Sequence, residues 1–223
     1  MSETSLYDSG FISDDVFRPT QPAGLAAVPR PSSERVQFDE ILSRFRDQRF
    51  IGLVGAPGSG KTTCSKRLAK TVGKKCFFLK FMDMNYDSEI SLKELIVDKP
   101  FRSLSVSLRQ HAFEWILNNQ AECVFILDGY DQARWRLPTR PINATPYDQI
   151  DIAHLIANIC LGQLLQDSCI IFTSRQYSMI SIPYDLRPKV IILLQDFNME
   201  DTKTLFCALS SRMDKKLTTS PET

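Results

Sequence analysis

The sequence has no surplus of charge, no long apolar run and no paired-cysteine motif. Lys and Arg number 27 against 26 for Asp and Glu, so neither nucleic-acid binding nor attraction to an anionic membrane is expected. The longest apolar runs, such as Val190–Leu194, are far too short to cross a bilayer. Residues 1–10 (MSETSLYDSG) contain neither a basic nor an apolar region, so we expect no secretory leader.

The cysteines and histidines are few and scattered. The six cysteines include no CxxC pair, and most lie in apolar runs, which indicates buried thiols in a reducing compartment. Cys64 lies just inside a predicted helix, whose N-terminus could lower the pKa of the thiol while burial would raise it, and we expect an inert thiol there. His111 and His154 lie far apart without metal-like partners, so no zinc site is predicted. With 43% hydrophobic and 24% charged residues, the chain is predicted to be a folded, soluble, cytoplasmic protein.

The chain divides into three parts by composition. Residues 1–35 hold four of the twelve prolines, mixed with Ser, Asp and Gly, and bury too little apolar surface to offset their ordering entropy. We therefore expect a flexible tail or linker there. Folded sequence begins near Val36, where residues 36–45 place apolar side chains at helical spacing. The folded domain is predicted over residues 36–196, followed by residues 197–223 as the start of a truncated helical domain and a polar tail.

Five short runs are nearly continuous in apolar residues, which is typical of parallel strands buried on both faces. They are Phe50–Val54, Cys76–Phe81, Cys123–Leu127, Cys169–Phe172 and Val190–Leu194. Between them lie the helical stretches Lys61–Val72, Leu104–Leu117 and Gln149–Leu165. This alternation predicts an α/β fold, a five-stranded parallel sheet with helices on both faces. Right-handed crossovers bring the carboxyl ends of the strands to one edge, where ligands bind.

Residues 55–62 carry the strongest signal. They read GAPGSGKT, match the pattern G-x-x-x-x-G-K-[ST], follow a predicted strand and open a predicted helix. The glycines let successive N–H groups point at an anion, and the helix N-terminus adds about half a positive charge. We expect Lys61 to reach the β and γ phosphates and Thr62 to place its hydroxyl on Mg²⁺. The predicted nucleotide-binding residues are Gly55, Ala56, Pro57, Gly58, Ser59, Gly60, Lys61, Thr62 and Thr63.

An acid ends the third predicted strand. Residues 123–132 read CVFILDGYDQ, the form of a Walker B segment. Asp128 is expected to hold Mg²⁺ together with Thr62; the alternative is that Asp128 only caps a helix. Asp131 is predicted to orient or activate the attacking water, or else to be a solvated loop acid.

An arginine follows the fourth predicted strand, after the sequence Phe172-Thr173-Ser174. The guanidinium of Arg175 is expected to emerge at the same edge of the sheet, bond the γ-phosphate and report whether ATP or ADP is bound. The alternative is that Arg175 pairs with a surface acid. Asp131 and Arg175 are therefore the candidate catalytic residues.

These three segments, in this order and at these separations, resemble the NACHT nucleotide-binding domain of NOD-like receptors (NLRs), which belongs to the STAND class of P-loop ATPases. The resemblance covers about residues 49–206. It extends to residues 81–85 and 91–96, to the extended Walker B at 126–131, to sensor 1 at 173–175 and to the helical-domain junction at 194–201. It implies a NACHT domain over residues 36–196, AAA-like strand order, ATP or ADP with Mg²⁺, a role in innate-immune signalling, and self-association or association with other NLR-type proteins.

Two departures from that family pattern matter. The family usually has Glu after the second acid, and this sequence has Gln132, whose neutral amide cannot take a proton from water. Slow hydrolysis is therefore expected. The sequence also ends before the family's adenine-contacting proline and winged-helix histidine, which predicts a fragment, a short isoform or a reduced family member.

The main prediction is a nucleotide-controlled switch that binds ATP, hydrolyses it slowly and self-associates. The sequence has no Asn-Lys-x-Asp guanine-reading motif, which favours ATP over GTP. One alternative is a P-loop kinase or AAA-type ATPase, with turnover on the order of 1–1000 per second. The other is a non-catalytic decoy or regulatory fragment of an NLR, whose partner binding would survive the loss of Lys61.

Two further features have open interpretations. Residues 134–141 (RWRLPTRP) directly follow the Walker B segment. They could form a partner surface, a contact for a neighbouring subunit's nucleotide, or a mobile solvated loop. A stripe of apolar residues at helical spacing is predicted to pack in the core; it consists of Leu104, Leu108, Phe113, Ile116 and Leu117.

Overall fold

The computed structural model describes residues 13–17, 31–37, 41, 48–86 and 88–194. Its strands are β1 Ser13–Phe17, β2 Pro31–Gln37, β3 Phe50–Val54, β4 Cys76–Lys80, β5 Glu89–Ile90, β6 Val124–Asp128, β7 Ile150–Asp151, β8 Cys169–Ser174 and β9 Val190–Leu194. The longer helices are α1 Lys61–Val72, α2 Val106–Asn118, α3 Ile152–Leu161 and α4 Gln176–Ile180. In this part of the chain one sheet has seven strands in the order β2-β1-β9-β3-β8-β6-β4, and β5 pairs with β7 in a second sheet.

Five neighbouring strands of the large sheet, β9-β3-β8-β6-β4, run parallel. This confirms the predicted five-stranded parallel sheet, with bounds within two residues of those predicted. The first parallel strand lies between the fifth and the fourth, which is the AAA-like order. Since β3, β8 and β6 are neighbours, the segments that follow them meet at one edge of the sheet.

Helices cover both faces of the sheet. Ile51 and Leu53 of β3 point into a core cluster that includes Leu68 of α1. Phe50 and Val54 of the same strand point the opposite way, into the larger cluster built with α2, α3 and α4. Every residue of β3 is therefore buried, as expected for a central parallel strand.

The apolar stripe on α2 is only partly in the core. Phe113 and Ile116 are buried and Leu117 packs against them, but Leu104 is 42% and Leu108 is 56% exposed. The prediction that Leu104 and Leu108 lie in the core was wrong. Leu104 precedes the helix, whose N-cap is Ser105, and five helical positions turn Leu108 about 140° away from Phe113.

Two N-terminal segments add strands to the sheet. β1 pairs antiparallel with β9, with Asp14 opposite Leu194, and β2 pairs antiparallel with β1. This differs from the flexible tail predicted for residues 1–35 and from the helix predicted to start at Val36, which lies in β2. The physical reason is that β9 is the last parallel strand on its side, and an added strand satisfies its outer backbone groups.

Some predictions lie outside the described residues. Of the predicted helix after β2, Ile41 is described, and it is helical and buried. The helical-domain junction and everything after residue 194 are not described. The boundaries of the three parts of the chain therefore remain predictions. In the ranges that the structure describes, no helix is long and apolar enough to cross a membrane.

The cysteine thiols in the described part of the chain are not joined in disulfides. Burial raises the pKa of the Cys76 thiol to about 12 and the pKa of the Cys169 thiol to about 11. Burial also raises the pKa of the Cys123 and Cys160 thiols. Cys64 is buried in the core beneath α1. A protonated, buried thiol is a poor nucleophile, which fits the inert thiols predicted from the sequence.

Candidate nucleotide-binding site

The loop between β3 and α1 is a compact, internally bonded turn. The N–H of Gly55 donates to the carbonyl of Ser174 at the end of β8, at 3.3 Å, so the loop starts beside that strand. The N–H of Ser59 donates back to the carbonyl of Ala56 at 3.2 Å. The N–H of Cys64 donates to the carbonyl of Gly60 at 2.8 Å and closes the first turn of α1. The N-terminus of a twelve-residue helix therefore opens directly from the loop.

Three loop glycines are needed for two different reasons. Gly58 and Gly60 have φ of +83° and +85°, and a Cβ at either position would meet nothing within 4 Å. Backbone conformation alone therefore selects glycine at these two positions. Gly55 has no such φ, but an added Cβ would clash with the Ser59 hydroxyl and would lie only 3.2 Å from the Cβ atoms of Ser59 and Leu194. Close approach selects glycine there.

The charge at the loop comes from Lys61 and from the helix. The Lys61 Nζ donates to the carbonyls of Gly55, at 2.9 Å, and Ala56, at 2.6 Å, so the ammonium folds back over the loop. The N-terminus of α1 places its partial positive charge at the same point. The Ser59 hydroxyl is buried and has no hydrogen-bond partner in the described part of the chain. This combination of ammonium, helix terminus and unused donor fits a polyphosphate.

Asp128 joins the loop to two strands of the sheet. Its Oδ2 accepts from the Thr62 hydroxyl at 2.8 Å, and its Oδ1 accepts from the Thr173 hydroxyl at 2.7 Å. Thr173 in turn accepts from the N–H of Gly129 at 2.8 Å. The turn that follows, Tyr130–Gln132, has no side-chain cap, so the alternative role of Asp128 as a helix cap is not seen. Asp128 is 7% exposed, and its carboxylate is held rigidly at the end of β6.

The oxygens at this point suit a hard cation. Thr62 and Asp128 present a hydroxyl and a carboxylate, the ligand types that Mg²⁺ prefers. In the described residues no group of three or more His, Cys, Asp or Glu side chains could hold a metal ion. A metal bound here would therefore depend on water and phosphate oxygens for its other ligands, which is usual for Mg²⁺.

Asp131 and Arg175 contact each other. The Arg175 Nε lies 3.0 Å from Asp131 Oδ2, and the Arg175 N–H donates to Asp131 Oδ1 at 3.3 Å. The Asp131 side chain is 8% exposed and that of Arg175 is 43% exposed. Asp131 is therefore not the solvated loop acid of the alternative interpretation. The partner of Arg175 is likewise a buried acid of the site and not a surface acid.

Asn85 holds the turn after the Walker B strand and was not predicted. Its Nδ2 donates to the carbonyl of Gln132 at 2.9 Å, and its Oδ1 accepts from the N–H of Arg134 at 2.8 Å. The Asn85 amide thus supplies hydrogen bonds to the backbone groups of Gln132 and Arg134, the residues on either side of Ala133. The sequence signal was weak, because an Asn after a strand is also a common turn residue. Thr173 lies in the segment that resembles sensor 1, but its contact with Asp128 was not predicted.

A cluster of aromatic rings supports the same turn. Tyr130 is fully buried, and its ring contacts Phe81 at 5.3 Å between centroids. Phe81 also contacts Phe172 of β8 at 5.0 Å and Trp135 at 5.8 Å. Burial raises the pKa of the Tyr130 hydroxyl. This packing fixes the backbone that carries Asp128 and Asp131.

The structure brings the predicted site residues together in two contacting groups. Thr62 meets Asp128, and Arg175 meets Asp131. The two groups are neighbours, because Ser174 pairs with Val54 immediately before the loop. Thr63 and the side chains of Ala56 and Pro57 are exposed. A parallel sheet of AAA-like order with a glycine-rich phosphate loop after its first parallel strand defines the P-loop NTPase class.

Comparison with known proteins narrows this class to a family. The sequence model of the NACHT domain family matches residues 49–212, so the chain belongs to the NACHT family. Protein NLRC5 from Ictalurus punctatus is 30% identical over 139 residues, which is 57% of this chain and 8% of that protein. Nucleotide-binding oligomerization domain-containing protein 2 is 24% identical over 177 residues in both Homo sapiens and Pan troglodytes, 73% of this chain and 17% of those proteins. The chain therefore spans a small part of the relatives' length.

Proposed function

We propose that this NACHT domain binds ATP with Mg²⁺, hydrolyses it slowly and uses the bound nucleotide to control self-association. The observation that carries the proposal is the convergence of the Lys61 ammonium, the Thr62 hydroxyl and the Asp128 carboxylate at the N-terminus of α1. Family membership supports a nucleotide-binding signalling role. The choice of ATP follows from the missing guanine-reading motif.

Binding of the triphosphate requires Lys61 to change partners. Its Nζ now contacts carbonyls of Gly55 and Ala56, and these neutral acceptors are weaker partners than a phosphate. We expect the ammonium to turn to the β and γ phosphates while the loop N–H groups hold the rest. The buried Ser59 hydroxyl would supply one more donor.

Thr62 and Asp128 would hold Mg²⁺. A magnesium ion bound there would neutralise the charge that develops on the transferred phosphoryl group. Because the Thr62 hydroxyl donates its proton to Asp128, its lone pairs would remain available to the ion while that hydrogen bond persists. Thr173 would keep Asp128 oriented, because it contacts the other carboxylate oxygen.

Two features support slow hydrolysis. Gln132 occupies the place of a Glu in the family pattern, and its amide cannot accept a proton from water. Asp131, the other candidate base, has both carboxylate oxygens in contact with Arg175, so in this arrangement neither oxygen is free to take a proton from water. A slow enzyme that retains its nucleotide would act as a switch.

Self-association and a cytoplasmic location are the parts of the proposal that rest on the relatives. One relative carries oligomerization in its name, which is a statement about that protein. For this chain we propose association with itself or with other NLR-type proteins, gated by whether ATP or ADP occupies the loop.

A thermal-shift titration with ATP and Mg²⁺ tests the binding step. At about a hundred times the dissociation constant, ligand adds ~2.7 kcal/mol of stability, which raises the Tm of a chain of this size by roughly 5–10 °C. Lys61→Ala should abolish the shift, whereas Lys66→Ala, an exposed lysine on the same helix, should leave it intact. An equal shift in wild type and Lys61→Ala would contradict the proposed site.

Single-turnover hydrolysis separates the proposal from the P-loop enzyme alternative. A kinase or AAA-type ATPase would turn over on the order of 1–1000 times per second, and the switch far more slowly with tight product retention. Partner binding that survives Lys61→Ala would instead support the decoy alternative.

A further inference from the structure

The segment after the Walker B turn is long and irregular, yet tightly held. Residues 133–149 contain no helix or strand. Asn85 bonds the N–H of Arg134 at 2.8 Å at the start of this segment. In its middle, His154 Nδ1 accepts from the N–H of Ile142 at 3.0 Å, and Asn158 Nδ2 donates to the carbonyl of Ile142 at 2.7 Å. Long ordered loops of this kind are usually functional.

Buried side chains anchor the same segment to the domain. Ala133 and Leu137 are 7% and 5% exposed and belong to the main core. Trp135 is half-buried and packs against Phe81 and Tyr130. These anchors are inconsistent with the mobile, solvated loop that the sequence left open, because a mobile loop would not keep such contacts.

The side chains that this anchored loop exposes include three arginines. Arg134 and Arg136 are exposed on either side of the half-buried Trp135, where the backbone bends. Arg140 is exposed a little further along, after Pro138.

The guanidinium groups of Arg134, Arg136 and Arg140 lack the carboxylate or carbonyl partners that several other arginines of the described residues have. In the described part of the chain, no carboxylate lies within ion-pair distance of Arg134, Arg136 or Arg140, and their side chains make no hydrogen bond. Arg109 and Arg175, by contrast, pair with Asp98 and Asp131. Arg49 and Arg187 bond backbone carbonyls; Arg49, for example, bonds Cys160 at 3.1 Å and Arg187 bonds Ile182 at 2.6 Å.

We propose that residues 134–142 form a docking surface for an acidic segment of another protein. Each of the three exposed guanidinium groups can bind a carboxylate of such a segment in a forked geometry. A protein is favoured over nucleic acid or lipid because Ile142 and Tyr147 of the same loop are 61% and 55% exposed. Exposed aromatic and aliphatic residues among arginines are typical of protein interfaces. This surface does not depend on nucleotide binding.

Fluorescence anisotropy with a labelled short peptide in which Glu alternates with Thr tests this proposal. The protein should bind the peptide, more weakly as salt rises. The triple variant Arg134→Glu, Arg136→Glu, Arg140→Glu should lose affinity by ~tenfold or more. A matched triple variant, Lys66→Glu, Arg102→Glu, Lys189→Glu, changes the net charge equally at exposed positions elsewhere and should keep the affinity. A peptide with Gln in place of every Glu should bind much less tightly.

Several outcomes would overturn the proposal. They are no binding by the wild type, an equal loss in the two triple variants, or equal affinity for the two peptides. Tighter binding to single-stranded RNA or to phosphatidylserine vesicles would assign the surface to another partner. Loss of self-association in the arginine triple variant, without loss of peptide binding, would assign the surface to contacts between copies of this chain. If charge reversal prevents folding, the three arginines can be changed to Gln, which removes the charge but keeps a polar side chain and should still lose the affinity.

Discussion

Arg175 and Asp131 hold each other across the gap between the end of β8 and the turn after β6. The guanidinium Nε lies 3.0 Å from one carboxylate oxygen, and the N–H of Arg175 donates to the other at 3.3 Å. The carboxylate contact engages the guanidinium Nε, which leaves the Nη groups to reach a γ-phosphate while the backbone contact holds Asp131 in place.

A double-mutant cycle measures that contact. Arg175→Ala leaves a mostly buried carboxylate with only its backbone donor, and should cost about 1 kcal/mol of stability. We expect a coupling energy of about 1 kcal/mol between Arg175→Ala and Asp131→Ala in urea unfolding. Arg136→Ala, at an exposed arginine without such a partner, should change stability by less than about 0.5 kcal/mol. Additive single variants would show that the pair contributes nothing.

Gln132→Glu should accelerate ATP hydrolysis if water activation limits the rate. The Gln132 side chain is exposed and lies beside Gly129, so a carboxylate of similar size can replace it without disturbing the core. General-base catalysis typically contributes about 10²–10⁴-fold, which sets the upper range of the gain. Single-turnover assays on wild type and variant measure it, with Gln132→Ala as the control that removes the amide without adding a base. An unchanged rate in Gln132→Glu would place the rate-limiting defect elsewhere.

Asn85→Ala should loosen the turn after the Walker B strand. It removes both bonds of the Asn85 amide, to Gln132 and to Arg134, at a cost of about 1–3 kcal/mol. Asn85→Asp keeps the acceptor for the Arg134 N–H but loses the donor, so it should cost less. Hydrogen exchange at the Arg134 amide reports this directly, with protection lost in Asn85→Ala and retained in Asn85→Asp. Asn118→Ala, at an exposed helix end, is the control. Equal protection in all variants would show that the two hydrogen bonds of Asn85 do not hold this turn.

The ionised form of Glu94 should stabilise the fold above the ordinary pKa of a glutamate. The Ser91 N–H, at 3.0 Å, and the Gln149 amide, at 2.6 Å, donate to Glu94 Oε2, and these bonds lower the pKa of Glu94 from the ordinary value of 4.5. A lowered folded-state pKa gives stability that is present above 4.5 and is lost as the pH falls towards the folded-state value.

Unfolding by urea at neutral pH and below 4.5 tests this expectation for Glu94. Glu94→Gln should be less stable than wild type at neutral pH, and the difference should shrink as the pH falls. Glu89→Gln changes a carboxylate whose side chain makes no hydrogen bond in the described residues, and should show no such trend. A constant difference between wild type and Glu94→Gln would mean that Glu94 acts by packing alone.

The sequence predicted those features of this domain that depend on short stretches of consecutive residues. The continuous apolar runs of β3 and β9 give those strands their bounds, because a strand covered on both faces has no polar position to interrupt the run. The phosphate loop could be predicted because its glycines, Lys61 and Thr62 act within eight consecutive residues. The same pattern could not predict that Leu104 and Leu108 stay exposed, since helical spacing does not say where the helix begins.

The sequence by itself determined the class of fold, the phosphate loop and the acid at the end of β6, because each depends on residues that are neighbours in the chain. Tertiary structure decided the partners of those residues. Thr173 meets Asp128 across 45 positions, Asn85 meets Gln132 across 47, and Asp131 meets Arg175 across 44. Such contacts arise only when the parallel strands bring their carboxyl ends to one edge, and a local pattern carries no record of which side chains then meet.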